Sequence, residues 1–257
     1  FIWTCDYSET TGEGKLARLF VKKIKSNNIY NCKFNQKGTY SSKYVSSIIG
    51  IFYCWQKYLN NKEVCYLNYL PFWNFFIFIF LPPKTIFGPI TGGANFTNSN
   101  KLNYFIRKSV FPLFYKISEF FLNLRFKKGI IFSTDLLKKH LSKKTIEKSK
   151  FNFILNSFER KKKEKKKIDF LIYYRKHKNK EDHFPLKFIK NLLDLRCSVH
   201  IIGNYLKLNG VKNHGYVNRA KLNYLLSKTK FTLGSGESLY TFFNIECINN
   251  FVKIILD

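Results

Sequence analysis

FTLGSGESLYTFFNIEC, residues 231–247, joins an apolar segment, a small-residue turn and the approach to a helix in one run. A short strand is expected over Lys230–Leu233, a turn at Gly234, Ser235 and Gly236, and a helix from Glu237, with Glu237 and Glu246 bracketing it. A helix N-terminus behind a glycine-rich turn exposes unpaired N–H groups and the positive end of the helix dipole. Such an end suits an anionic or polyhydroxylated ligand. A carboxylate accepts two hydroxyl hydrogen bonds at once and so can read a sugar or ribose diol. Taken alone, the window favours a simpler account, in which Glu237 is a first-turn charge and Glu246 a solvated helix residue. The segments upstream shift that balance.

The same order of elements precedes it. Ile168–Tyr173 (IDFLIY) reads as a strand, YRKHKNK as a basic loop and Phe184–Leu195 as a helix. Ser198–Ile202 (SVHII) is a strand ending at Gly203–Asn204, Val211–Val217 a short strand or turn, and Arg219–Ser227 a helix. Toward the N-terminus, Phe1–Cys5 is a strand, followed by a loop carrying Gly12 and Gly14. The helix after that loop has Leu16, Leu19, Phe20 and Ile24 on one face. Tyr44–Tyr58 has amphipathic helical periodicity, Glu63–Leu67 is a strand, and Phe72–Leu81 is a nearly all-apolar buried helix stopped by two prolines. Lys84–Phe87 is a strand opening into GPITGGAN, a second glycine-rich loop. Leu102–Leu124 is helical, Gly129–Phe132 a strand, and a further helix runs through Leu141. Strands alternating with helices, with small and polar residues at the strand ends, specify a doubly wound parallel α/β sheet.

Phe158–Lys167, FERKKKEKKK, is the sharpest change in composition and reads as a solvated linker at a domain boundary. The expected organisation is a first domain over residues 1–157, a basic linker over 158–167, and a second domain over 168–257. Two such units leave a cleft where strand ends face each other.

Composition bounds the function. The formal net charge is +29, from 45 Lys and Arg against 16 Asp and Glu. The excess is mostly Lys, accompanied by abundant Asn, Ile, Phe and Tyr, the imprint of an AT-rich genome as much as of a polyanionic partner. The aromatics fall in core-like runs and are not interleaved with basic residues on one element, which argues against a nucleic-acid-binding protein. The charge does favour phosphates and anionic lipid headgroups. Six cysteines without CxxC spacing read as reduced, mostly buried thiols, and neither a zinc site nor an Asp-x-Asp motif is present. The greasiest stretch is about half of the roughly twenty residues that a membrane helix needs. The expected place is therefore the cytoplasm, at the inner face of a membrane. The chain contains no Met and stops directly after the strand-like run Phe251–Leu256, so a fragment cut at both ends is expected.

Over most of the chain, and most strongly over Asp169–Phe251, the order of these features resembles the nucleotide-sugar-dependent glycosyltransferases of the GT-B fold, particularly the retaining group that builds bacterial surface glycans. The resemblance implies two Rossmann-like domains facing a cleft, the second truncated at its C-terminus. It implies that Arg175 and Lys180, in YRKHKNK, grip the donor diphosphate, and that Gly203, Asn204, Tyr216 and Val217 lie along the nucleotide. Glu237 would hold the donor sugar and Glu246 the ribose, although eight residues separate them where the family has seven. One extra residue turns a side chain by about 100° on an α-helix, so both can face the donor only across a bulge. Gly12 and Gly14 would approach the donor phosphates, and Gly92 and Gly93 would line the acceptor side. The family's N-domain histidine is unfilled, since His140 is expected on a surface helix. The implied partners are a nucleotide-sugar donor and a glycan or lipid-linked acceptor; no metal or other cofactor is implied, nor any nucleic acid, while the basic charge leads to the separate expectation of peripheral contact with an anionic membrane. Two alternatives remain open: a basic nucleic-acid-binding α/β protein, and another GT-B-like protein such as a sugar-nucleotide epimerase or an inactive binding relative.

Overall fold

Parallel strands cannot be joined by a tight hairpin, so each must be reached by a crossover that carries its own helix or long loop. Every strand pair among the described residues is parallel. The computed structural model describes residues 1–9, 11–24, 43–92, 105–127, 129–176, 184–234 and 241–256. They form an α/β protein that divides into two compact units, one made of Phe1–Ala94 and Phe105–Asn156, the other running from residue 157 to the end.

In the first unit β1 (Ile2–Trp3), β2 (Cys65–Tyr66) and β3 (Ile86–Phe87) lie side by side in that order. β4 (Ile130–Ile131) pairs with β5 (Ser149–Lys150). An isolated bridge between Ile90 and Phe132 links the two ladders. It is built from Ile90 N–H donating to Ile131 O at 2.8 Å and Ser133 N–H donating to Ile90 O at 2.9 Å. GPITGGAN is thus only partly a loop. Ile90 is buried, so its backbone groups must be paired, and the sheet is what pairs them.

The period of two sorts side chains between the faces. Tyr66 packs with Leu70, Phe72 and Phe78, whereas its neighbours Cys65 and Leu67 pack with Ala17, Phe20 and Val21. α1 (Gly12–Lys23) therefore covers one face. The other is covered by α2 (Lys43–Leu59), α3 (Phe75–Phe80) and α4 (Phe111–Arg125), the last continuing a π-helical turn at Ile106–Val110. The Arg125 guanidinium donates to the carbonyls of Ile79 at 2.7 Å and Leu81 at 2.6 Å, capping the short α3 where its own ladder runs out. α3 is buried on one side only, through Ile77 and Phe78; Phe76 and Phe80 are each 54% exposed. The helix expected up to Leu141 is a single 3-10 turn, Lys138–His140. Leu141 ends it by adopting an extended backbone, and Ser142 then caps α5 (Lys143–Glu147).

In the second unit β6 (Ile168–Tyr174), β7 (Val199–Gly203), β8 (Lys212–Asn213), β9 (Thr229–Leu233) and β10 (Lys253–Ile255) take the order β10-β9-β6-β7-β8. The chain starts in the middle, winds outward to β8, then returns to build β9 and β10 on the other flank. Helices cover both faces. Phe170, Ile172 and Ile201 pack with Ile189 and Leu192 of α6 (Leu186–Asp194). Leu171 and Ile202 pack with Leu225 and Leu226 of α7 (Arg219–Lys228) and Cys247 of α8 (Phe242–Asn249).

The basic run is not a free linker. Lys161 N–H donates to Asn249 O at 3.0 Å and Lys167 N–H to Lys228 O at 2.7 Å. The Lys166 ammonium donates to Asn250 O at 2.6 Å, Lys161 Nζ to Asn223 Oδ1 at 2.6 Å, and Glu164 pairs with Lys228 at 2.7 Å. Lysines expected to be solvated instead satisfy the C-terminal carbonyls of α7 and α8, which have no partner within their own helices. The amides of Lys161 and Lys167 should accordingly exchange far more slowly than an unstructured chain, while that of exposed Lys163 exchanges fast. Residue-resolved hydrogen exchange giving random-coil rates at all three would remove the strap.

Candidate functional site

A parallel sheet collects its strand carboxyl ends, and the N-termini of the helices that follow, along one edge. In the second unit the strand order reverses between β6 and β9, and the helices that come next in the chain, α6 and α8, cover opposite faces of the sheet. Arg175 follows β6 directly and Gly234 follows β9 directly.

The residues around Arg175 are tightly placed. Gly203 sits at φ +97°, and a Cβ there would lie 2.3 Å from Tyr174 O and 2.9 Å from the Tyr173 ring. Only glycine lets β7 turn at this point. Gly203 N–H donates to Gly215 O at 2.9 Å and Asn204 N–H to Tyr174 O at 2.9 Å. Asn204 Oδ1 in turn accepts from Lys176 N–H at 2.8 Å and from the Tyr216 hydroxyl at 3.1 Å. Gly203, Asn204 and Tyr216 are thus brought together with the turn that holds Arg175, whose side chain is exposed, as is the Tyr216 ring at 74%.

Other expectations fare differently. Val217 packs into the core formed by Leu225 and Leu226, so it supports the loop from below. α8 does not begin at Glu237. It begins at Phe242, behind Thr241, whose extended backbone (φ −112°, ψ 151°) and Oγ1, accepting from Asn244 N–H at 3.1 Å, make it the N-cap. Glu237 and Glu246 therefore do not share one continuous helix, and their spacing fixes no common face. Glu246 is buried, and its Oε1 accepts from Arg219 Nη1 at 2.7 Å. That carboxylate is neutralised by the first residue of α7 and is not presented to a ribose. Lys180, Glu237 and Gly93 lie outside the described residues.

In the first unit Gly12 and Gly14 form the first turn of α1 and not a loop, with Thr11 Oγ1 accepting from Gly14 N–H at 3.0 Å. The two glycines are unequal: a Cβ on Gly12 meets open space, whereas one on Gly14 would lie 2.2 Å from Ser8 O and 2.8 Å from Asp6 Oδ1. Gly14 lets the helix end close onto a polar cluster that local reading missed. Asp6 Oδ1 accepts from Ser8 N–H at 2.9 Å, and Oδ2 from Thr11 Oγ1 at 2.6 Å and the Tyr69 hydroxyl at 3.4 Å. Buried Asn68 accepts from Cys5 N–H at 2.9 Å and donates to Asp6 O at 2.8 Å. Burial, then the charges of Asp6 and Glu13, push the Tyr69 hydroxyl up, so it stays a proton donor at neutral pH. Gly92, at φ +123°, follows the Thr91–Pro71 bridge. His140 lies half-buried against Tyr115, ring centroids 5.1 Å apart, and burial followed by Lys139 lowers its pKa.

A histidine pair also escaped sequence reading. His214 Nε2 lies 3.1 Å from His200 Nδ1, joining the end of β8 to β7. Burial, then His214, then Lys212 depress His200 to about 4. At the amino end of β6, Asp169 accepts from Ser198 N–H at 2.9 Å and Lys230 Nζ at 2.8 Å, which with Lys230 first holds it down to about 2. Among the described residues no group of three or more His, Cys, Asp or Glu side chains could hold a metal ion. Nor is any helix among them long and apolar enough to cross a membrane.

Replacing Gly203 by Val should destabilise the protein by roughly 2 kcal/mol or more, from backbone strain and the clash with β6. Gly12→Ala should be neutral or slightly stabilising. Urea unfolding midpoints at unchanged slope test the contrast. His200 is neutral in the fold, whereas an unfolded histidine takes a proton below about 6.5. Stability should therefore fall as pH drops from about 6.5 toward 4, and fall again as Asp169 is protonated between about 4 and 2. In melting curves recorded against pH, His200→Gln should reduce the loss in the upper window, leaving there the share of His214 and His140, and leave the lower window unchanged.

No protein-family model matches the chain, and neither the curated proteins nor the solved structures contain a match to it.

Proposed function

We propose that the chain is a GT-B-type glycosyltransferase, moving a sugar from a nucleotide-diphosphate donor to a cell-envelope glycan or lipid-linked acceptor, with its second unit holding the donor. The observation that carries this reading is the placement of Arg175 at the reversal between β6 and β9, beside the Gly203–Asn204–Tyr216 cluster. Open parallel sheets bind ligands at such a reversal, outside the strand carboxyl ends.

The chemistry follows from charge. As the glycosidic bond breaks, the sugar becomes oxocarbenium-like, by analogy with glycoside hydrolysis, and negative charge builds on the departing diphosphate. In this reading Arg175 and Lys180 neutralise that charge, the guanidinium fork matching two phosphate oxygens at once. Tyr216 offers its exposed ring to the nucleotide base, with its hydroxyl anchored on Asn204. Glu237 engages the donor sugar. Glu246 acts at one remove, positioning Arg219. A retaining enzyme of this kind carries no obligatory general base, and fixed cations take the place of a metal.

Arg175→Ala should weaken binding of the free nucleotide diphosphate by roughly tenfold or more, since one charge-assisted contact exceeds the 1.4 kcal/mol of a decade. Glu237→Gln should leave that affinity nearly intact and depress turnover. Calorimetry with UDP, GDP and ADP, beside transfer assays on a panel of nucleotide sugars, reads both. Wild-type nucleotide affinity in Arg175→Ala, or lost affinity with full turnover in Glu237→Gln, would refute the site. Binding and turnover of nucleotide sugars without transfer would favour an epimerase.

A further inference from the structure

The helices α2, α3 and α4 share one layer on the first unit's sheet, and the outer surface of that layer is apolar where solvent would ordinarily select polar residues. On α2, Ile48, Phe52, Trp55 and Leu59 recur at intervals of four, three and four, the spacing of a single helical stripe. Phe52 and Leu59 are each 72% exposed and Ile48 56%. α3 adds Phe76 and Phe80, whose rings lie 6.1 Å apart. On α4, Leu113, Phe120 and Leu124 form a second exposed stripe, at 57%, 63% and 73%. The layer is fastened into one surface. The Trp55 indole N–H donates to Phe80 O at 2.7 Å, and the rings of Phe75 and Phe114 join α3 to α4 at 5.2 Å. Isolated exposed apolar residues are ordinary, but a contiguous set across three neighbouring helices marks a docking surface.

Charge selects the occupant. Lys116 stands within the α4 stripe, and Lys62, Lys84 and Lys127 follow the ends of α2, α3 and α4; all four are exposed. Over residues 43–92 and 105–127 the acids are Glu63 and Glu119, and Glu119 is buried, accepting from the backbone and hydroxyl of Ser142. An apolar, aromatic-rich face studded with lysines and almost devoid of exposed acid complements a bilayer whose surface is anionic. The rings and leucines enter the acyl boundary while the ammonium groups stay at headgroup level. A second copy of this chain fits poorly, because a twofold contact would set the same lysines against one another.

We infer that the outer face of α2, α3 and α4 docks the protein in the plane of an anionic membrane, without crossing it. This stands on the surface alone and goes beyond the glycosyltransferase reading, whose failure would leave it intact. The test is flotation with vesicles of phosphatidylcholine alone and with about a third phosphatidylglycerol, and quenching of tryptophan fluorescence by brominated lipid. The wild-type chain should float with the anionic vesicles, show quenching, and partition at least tenfold less to the neutral ones. Phe52→Gln with Leu124→Gln should lower anionic partitioning by tenfold or more, at unchanged circular dichroism. Lys116→Glu with Lys127→Glu, which spares every apolar contact, should lower it as well. Equal binding to both vesicle types, or anionic binding that survives both double variants, would overturn the inference. So would a wild-type dimer in sedimentation that the apolar variant dissolves while vesicles bind neither form.

Discussion

The second unit depends on β6 being paired along both flanks. Phe170 stands opposite Val199 on one side and Phe231 on the other, and its ring stacks on that of Phe231 at 5.4 Å. At Phe170 β6 is paired on both edges, and Ile168, Phe170, Leu171 and Ile172 are buried, so its register there is held by hydrogen bonds that cannot be given up singly. Asp169 strengthens the arrangement at its amino end by joining Ser198 before β7 to Lys230 in β9. With β6 immobile, whatever follows it is delivered to one place. That is why an exposed, chemically competent residue at position 175 differs from an arginine elsewhere on a basic surface.

The same rigidity explains the glycines. Gly203 and Gly14 both stand where two backbones approach more closely than a side chain permits, one at the end of β7 and one at the start of α1. Each lets a polar cluster close: Asn204 with Tyr216 in the second unit, Asp6 with Asn68 and Tyr69 in the first. In both cases the amide side chain links its neighbours through hydrogen bonds that fix a loop without burying an uncompensated charge. Glycine at these positions serves packing first, and any contact with a ligand would come through the loops that the packing holds.

Electrostatics is distributed with more structure than a net charge of +29 suggests. Part of the lysine excess is consumed internally: Lys166 reaches Leu226 O in the last turn of α7 and Asn250 O just after α8, Lys161 reaches Asn223, and Lys228 answers Glu164. Another part sits among exposed aromatic and aliphatic side chains on the helical layer of the first unit. A lysine that replaces a missing hydrogen-bond donor contributes to folding, whereas one beside an exposed phenylalanine leaves its charge available to a partner. Composition cannot distinguish the two.

The sequence by itself determined the α/β class with parallel strands and the place of most elements, because alternating apolar strands and periodic helices are local patterns that survive without tertiary information. IDFLIY and SVHII could hardly be anything but buried strands, and Gly203–Asn204 could be read as a strand end from its position alone. What only the tertiary structure decided were relations between residues far apart in the chain. Glu246 is committed to Arg219, twenty-seven residues away, and Asp6 to Asn68, sixty-two away. His200 meets His214 through strand register, and the strap at 158–167 is fixed by helix ends that follow it in sequence. The start of α8 was partly legible, since Thr241 three residues before Asn244 is a capping pattern; the glutamate earlier in the run drew the boundary too early. On α2 the apolar residues run nearly all round the helix, so periodicity could not tell the face that meets the sheet from the face that meets solvent. That distinction belongs to packing: it exists only once β1, β2 and α3 have taken one side and left the other uncovered.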